Sequence, residues 1–401
     1  MPPSGASMAP EAAAPDCPPH HPGRPKQDAR QGRHRPRRAF RLTRAAGMSK
    51  PNAMGRATLH IDLDAIAANW RALDRLSGPA VATAVVVKAD AYGLGAARVA
   101  RALARAGARQ FFVALAEEGA ALRAALGPQP EILVLSGHMA GDAATLAGAA
   151  LIPLLNSPEQ IARQRAALPG APFAVQLDSG MNRLGLQEAN WRALAPEVLA
   201  AGPRLLVSHL ACADEPGHPM NAAQLASFRR MTDAAGVPRS LAATGGILLG
   251  RDFHFDLARP GIGLYGGAPF GAARPVVRLS LPVIQVRDVA PGETVGYGAA
   301  WTAPRPARIA TLASGYADGL IRSLSGRATL WHGATPCPLA GRVSMDLLTV
   351  DVSHLPEVPG ALDILCPAQG VDALAEAAGT IGYEILTALG ARYDRQYRDA
   401  A

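Results

Sequence analysis

Val81-Ala-Thr-Ala-Val-Val-Val-Lys88-Ala-Asp-Ala-Tyr92-Gly93-Leu-Gly95 is the stretch on which the reading of this chain turns. Its run of small and β-branched residues has the pattern of a strand buried on both faces, as in a parallel sheet. The run ends at Lys88, with Tyr92 and two glycines in the turn beyond. A lysine at the end of a buried strand needs a reason, because an unpaired buried ammonium is costly. One reason is imine formation, which removes the charge and uses the amine as a nucleophile. A lysine that simply reaches solvent from the strand end is the competing reading, and this stretch alone does not choose between them.

Outward from this strand the pattern repeats. Apolar strand-like runs alternate with Ala-rich helical segments at Phe111–Leu115, Ile132–Leu135, Leu151–Leu155, Phe173–Asp178, Leu205–His209, Leu241–Thr244 and Ile262–Tyr265. With the Lys88 strand these make eight βα repeats and predict a (β/α)₈ TIM-type barrel over residues 56–274. Before them, Thr58–Leu63 alternates as a strand, and Ile66, Trp70, Leu73 and Leu76 share one face of a helix. From about residue 275 the texture changes to valine-rich strands (Val276–Val286, Arg308–Ala313, Leu347–Val352) with Gly/Pro turns. This predicts a mainly β C-terminal domain, residues 275–401, with a short helix at Val371–Gly379.

The formal charge of +8 invites a nucleic-acid reading until it is located. Residues 1–56 hold eleven Lys/Arg and three Asp/Glu, which leaves 29 against 29 for the rest. The body is neutral, so the fold gives no argument for nucleic-acid binding. Residues 1–55 read as a disordered basic tail. Met48 and Met54 stand as alternative starts, and Arg37-Arg38 lacks the apolar run of a secretion signal. No apolar stretch has the length of a membrane span. Cys17, Cys212, Cys337 and Cys366 are too scattered for a disulfide framework or a zinc site, and a reducing cytoplasm is compatible with them.

In a barrel the polar residues at the carboxyl ends of the strands carry the chemistry. Asp178-Ser-Gly-Met-Asn-Arg183-Leu-Gly185 is a Gly-rich turn able to present a guanidinium to an anion. His209 stands at another strand end. Thr244-Gly-Gly246 and Arg259-Pro-Gly261-Ile262-Gly263 leave backbone amides and a hydroxyl free for a phosphate. Tyr297 sits between two glycines in Gly296-Tyr-Gly298, with Gly341-Arg-Val-Ser-Met345-Asp346 later in the chain. Each motif alone has an ordinary structural reading: a surface turn, a structural histidine, a β-turn tyrosine.

Taken together they resemble alanine racemase, a pyridoxal 5'-phosphate enzyme family, over about residues 57–398. The resemblance implies that Lys88 carries the cofactor and acts as one base. It implies phosphate contacts from Tyr92, Thr244, Gly261, Ile262 and Tyr383, and Arg259 at the pyridine nitrogen. It places Arg183 near the cofactor's phenolic oxygen and the substrate carboxylate. Tyr297 is implied as the second base, linked through His209 to Arg259. Met345 is implied at the substrate carboxylate, and Tyr316 at the substrate entrance with Arg322 beyond it. A homodimer with shared active sites, alanine as substrate, no metal, and supply of D-alanine for peptidoglycan follow from the same resemblance.

Two positions depart from the family pattern. Gln176 stands where the family often has a carbamylated lysine facing the arginine of the Gly-rich turn, and Ala243 where an asparagine is common. The rival activities are a serine or broad-specificity racemase, and a non-catalytic pyridoxal phosphate carrier. Carrier relatives are a barrel alone, which the residues after 275 argue against. Decarboxylases of basic amino acids share the fold type, but their C-terminal cysteine motif is missing here while the Tyr297 turn is present.

Overall fold

The computed structural model of this chain describes residues 56–399, so the reading of residues 1–55 lies outside the described part. Order begins with a strand, β1 (Thr58–Asp62). The Asp62 carboxylate accepts the Ala65 N–H at 2.8 Å and caps helix α1 (Leu63–Ser77). Ile66, Trp70 and Leu73 are buried as their spacing predicts, but Leu76, in the last turn, is exposed.

The first barrel strand is split into β2 (Ala82–Thr83) and β3 (Val85–Val86). It is followed by β4 (Gln110–Val113), β5 (Glu131–Val134), β6 (Ile152–Leu155), β7 (Ala174–Gln176), β8 (Leu206–Val207), β9 (Arg239–Ser240) and β10 (Leu257–Ala258). Strands β3 to β9 form a parallel sheet in sequence order. β10 closes it: Leu257 and Ala258 pair with Ala82 and Thr83. On its other edge, Asp256 and Arg259 donate backbone bonds to the Arg239 and Ala242 carbonyls, at 3.0 and 2.8 Å. The barrel is therefore complete.

Two of the expected strands lie elsewhere. Ile262–Tyr265 is a 3₁₀ turn, and the eighth strand is the earlier Leu257–Ala258. Pro260 has no N–H to continue a ladder. Ile262, Leu264 and Tyr265 are buried as core strand residues would be. Their backbone instead meets α1, where the Asn69 amide donates to the Leu264 carbonyl at 3.1 Å. The seventh strand is likewise earlier, at β9, and Thr244 already begins a short helix, Thr244–Leu248.

The β-rich part is built on β11 (Val277–Val289). It continues with β12 (Thr294–Val295), β13 (Trp301–Thr302), β14 (Ala307–Leu312), β15 (Thr329–His332), β16 (Thr335–Pro338), β17 (Leu348–Asp351), β18 (Ala361–Leu365) and β19 (Asp394–Arg398). β11 pairs antiparallel with β1, β14 and β18, and β19 lies parallel to β1 on that strand's other edge. The first and last described strands are thus neighbours in this sheet. The helix expected at Val371–Gly379 spans Val371–Ala378, and the next, Gly382–Ala388, carries Tyr383.

Candidate active site

The ladder between β3 and β4 ends where the Val87 N–H meets the Phe112 carbonyl at 2.9 Å. Beyond Lys88 the chain does something the sequence does not announce. Ala89, Asp90, Ala91 and Tyr92 all have left-handed backbone angles, φ 52 to 56°. For residues with a Cβ this costs roughly 1–2 kcal/mol each, so surrounding contacts must hold the turn. The Ala89 N–H donates to the Glu118 carboxylate at 2.8 Å, and the Ala96 N–H to the Asp90 carboxylate at 2.7 Å. From β19, Arg395 donates to the Gly93 carbonyl and the Tyr397 hydroxyl to that of Leu94 at 3.1 Å. Gly93 is required: its φ is +80°, and a Cβ there would lie 2.6 Å from the Leu386 carbonyl oxygen.

Lys88 is thereby fixed, half-buried, on the wall of a cavity of about 760 Å³ at the carboxyl ends of the strands. Burial, and next the Arg183 guanidinium, lower the pKa of its amine, while Glu118 opposes them. A lowered pKa leaves more of the amine neutral and nucleophilic.

Tyr92, Arg183, His209, Thr244, Arg259, Gly261, Ile262 and Tyr383 line the same cavity. On one wall the Thr244 hydroxyl accepts the backbone N–H groups of Gly261 and Gly263, at 3.2 and 3.3 Å. A Cβ at Gly261 would sit 2.3 Å from the Tyr92 hydroxyl, so only glycine leaves room. Tyr265, Tyr92 and Tyr383 follow one another with ring centroids 4.6 and 5.8 Å apart. Burial raises the pKa of Tyr92, and that of Tyr383 to about 12, so both keep their protons as hydrogen-bond donors. The Gly261 and Gly263 amides, expected to be free, are taken up by Thr244, and it is the hydroxyls converging around small residues that fit a phosphate group.

Arg259 is only 4% exposed. Its guanidinium donates to the Ser208 carbonyl at 2.7 Å and to the Ser240 hydroxyl, and among the described residues it has no carboxylate partner. Burial lowers its pKa to about 9, which still leaves it protonated at neutral pH. His209 is driven down to about 3 by burial and by the cations Arg259, Arg183 and Lys88. Its carbonyl is fixed by the Gln224 amide at 2.9 Å. Arg183 makes no side-chain hydrogen bond or ion pair with another described residue, and Gln176, though it lines the cavity, does not anchor it.

Tyr297, Tyr316 and Met345 do not line this cavity. They are 71%, 42% and 54% exposed, on adjoining loops of the β-rich part. The Tyr316 N–H donates to the Ser344 carbonyl and the Ala317 N–H to that of Met345, both at 2.9 Å. The glycines flanking Tyr297 lie against Gly341 and Arg342. Sequence reasoning did not single out Ser208, Ser240, Gln224, Tyr265 or Glu118. Ser240 shares a face with Val207, its partner in the ladder, and that period-2 pattern is the signal that could have found it; Ser208 meets Arg259 through its backbone carbonyl, which side-chain alternation does not announce. Among the described residues no group of three or more His, Cys, Asp or Glu is placed to hold a metal ion, and no helix is long and apolar enough to cross a membrane.

A closed barrel with a neutralisable lysine, a phosphate-sized cradle and a buried cation at its rim is the framework of an enzyme that attaches a phosphate-bearing carbonyl cofactor through lysine. The chain belongs to the alanine racemase family. A family model described as alanine racemase, N-terminal domain, matches residues 61–269, and one for the C-terminal domain matches residues 276–397. An alanine racemase of Dinoroseobacter shibae is 70% identical over 344 residues, covering 86% of this chain and 99% of that protein. The crystal structure of the biosynthetic alanine racemase from Pseudomonas aeruginosa is similar with a TM-score of 0.81 at 40% identity, covering 86% of this chain and all of that one. The alanine racemase from Bartonella henselae, solved with covalently bound pyridoxal phosphate, is similar with a TM-score of 0.82 at 37% identity, over 86% of this chain and 99% of that one.

Proposed function

We propose that this chain, a pyridoxal-phosphate-dependent isomerase, interconverts L- and D-alanine by moving the Cα proton between two bases on opposite faces of the substrate. The observation that carries the reading is the half-buried Lys88 beside the cradle of Thr244, Gly261 and Tyr92, in one cavity. When bound, the cofactor supplies a carbonyl that an amine attaches to and a ring that draws off the electron pair left at the substrate carbon. Lys88 holds the cofactor and works as the base on one face. Thr244, Tyr92, Tyr383 and the backbone at Gly261 and Ile262 hold its phosphate. Arg259 faces the ring nitrogen, and because it keeps its own proton it does not give one away. A protonated Arg259 there would leave the ring nitrogen an acceptor, which would limit side reactions such as transamination. Arg183, without a hydrogen-bond or ion-pair partner among the described residues, is available to the substrate carboxylate.

The second base is Tyr297, supplied by a partner subunit with Tyr316 and Met345, in a homodimer whose two sites are shared. The high exposure of all three on one set of loops supports this. In the same reading the chain has a barrel domain, residues 56–274, and a β-rich domain, 275–401, acts in the cytoplasm, and supplies D-alanine for peptidoglycan. Incubation of the purified protein with pyridoxal phosphate and L-alanine, read by chiral chromatography, tests it. D-alanine should accumulate to an equal mixture, and Lys88→Ala should abolish this. Bound cofactor with no D-alanine formed overturns the reading in favour of a carrier.

A further inference from the structure

We propose that Glu118 is the positioning residue of Lys88: its carboxylate ties the left-handed turn carrying Lys88 to the adjacent helix and places a negative charge beside the amine. The inference rests on the reading of Lys88 as the cofactor lysine.

Where the β3–β4 ladder stops, both strands turn away and present N–H groups with no strand partner. Glu118, in the first turn of the helix Ala116–Leu126, answers both. One oxygen accepts the Ala89 N–H at 2.8 Å. The other accepts the Ala114 N–H at 2.7 Å and, more weakly, the Leu115 N–H at 3.4 Å. The second set is an ordinary capping arrangement, for which glutamine serves as well as glutamate. The first bond is not part of it. It reaches 29 residues back to the residue after Lys88, at the start of the left-handed turn.

A glutamine cannot satisfy both sides, because its NH₂ would face an N–H donor on one of them. A carboxylate, an acceptor at both oxygens, can. Among the described residues, the charged and titratable groups facing Lys88 are Arg183 from the turn after β7, His209 from the end of β8, and Glu118. Glu118 is the one whose charge favours the protonated amine, so it offsets Arg183 and burial. Its removal therefore leaves the amine neutral down to lower pH and frees the turn to relax.

The test adds pyridoxal phosphate to cofactor-free protein across a pH series. Attachment is read by absorbance, and its position by borohydride reduction and peptide mapping. Glu118→Gln should move the attachment midpoint down by about half a unit or more. Its turnover at saturating alanine should fall about 10-fold or more, because the base is misplaced. Glu118→Asp keeps the charge but is one methylene short, so its midpoint should stay while its turnover falls. An unmoved or raised midpoint in Glu118→Gln, or turnover within about twofold of wild type in both variants, overturns the assignment of Glu118 alone. A wild-type label on a lysine other than Lys88 overturns it together with the proposed function.

Discussion

His209 shows how burial, joined by the neighbouring cations, sets a protonation state. Arg259 is held by serine oxygens rather than a carboxylate, so its charge is not cancelled inside the cavity. With Arg183 and Lys88 it joins burial in keeping His209 neutral, with a pKa lowered to about 3 from the ordinary 6.5. A neutral imidazole can both accept and donate a hydrogen bond. The same shift has a consequence for stability. In the folded chain His209 takes up a proton only near pH 3, whereas in the unfolded chain it does so near 6.5. Between these values the unfolded state binds more protons, so the His209 contribution is complete above about pH 6.5 and is lost as pH falls. In the cofactor-free protein, unfolding free energy from denaturant titrations should therefore decline with acid over this window. His209→Gln should remove up to about 1.4 kcal/mol per pH unit from that slope. Equal slopes in the two proteins would mean that His209 is not held neutral.

The left-handed turn after Lys88 is the element on which the site depends, and it is supported from both halves of the chain. Glu118 holds its start, and Arg395 and Tyr397 of β19 hold the carbonyls at its end. Gly93 closes it against the Leu386 carbonyl, which leaves no space for a Cβ. Gly93→Ala should cost about 2–4 kcal/mol by denaturant titration, from left-handed strain and backbone displacement together. It should also weaken cofactor retention on dialysis. A loss below about 0.5 kcal/mol, the range of a neutral surface change, would show that this close approach does not hold the turn. None of this could be read from Ala-Asp-Ala-Tyr, since alanine and tyrosine carry no preference for that conformation. The strand before the turn and the glycines around the cradle were legible, because burial on both faces and freedom from a Cβ leave marks in composition, whereas Arg259 was pointed to by the family resemblance. The eighth strand was misplaced because Ile262, Leu264 and Tyr265 are as buried as strand residues while Leu257–Ala258 is too short to give a pattern. The pairing of β1 with β11 and β19 was not legible either, since alternation predicts a strand but not its partner.

At the scale of the whole molecule, the sequence pointed to twelve site residues, and the chain gathers nine of them around one cavity, leaving Tyr297, Tyr316 and Met345 on exposed loops. A large exposed tyrosine between two glycines gains little as a surface residue, but it suits a group that completes a site in another copy. If each subunit lends this loop to its partner's barrel, two-fold symmetry makes two identical composite sites. Lys88→Ala and Tyr297→Phe chains are then each inactive as homodimers, since every site carries the one defect. In a mixed dimer, one site combines both defects and the other has neither. Random subunit exchange makes about half of the dimers mixed with one good site each, so activity should return to about a quarter of wild type. Exchange is verified separately, by native mass spectrometry of chains differing in mass. Verified exchange without recovered racemisation would place Lys88 and Tyr297 in the same site of one chain, or remove Tyr297 from the reaction. Recovery in that mixture requires a Tyr297 from one subunit at the Lys88 of another, because no chain present carries both.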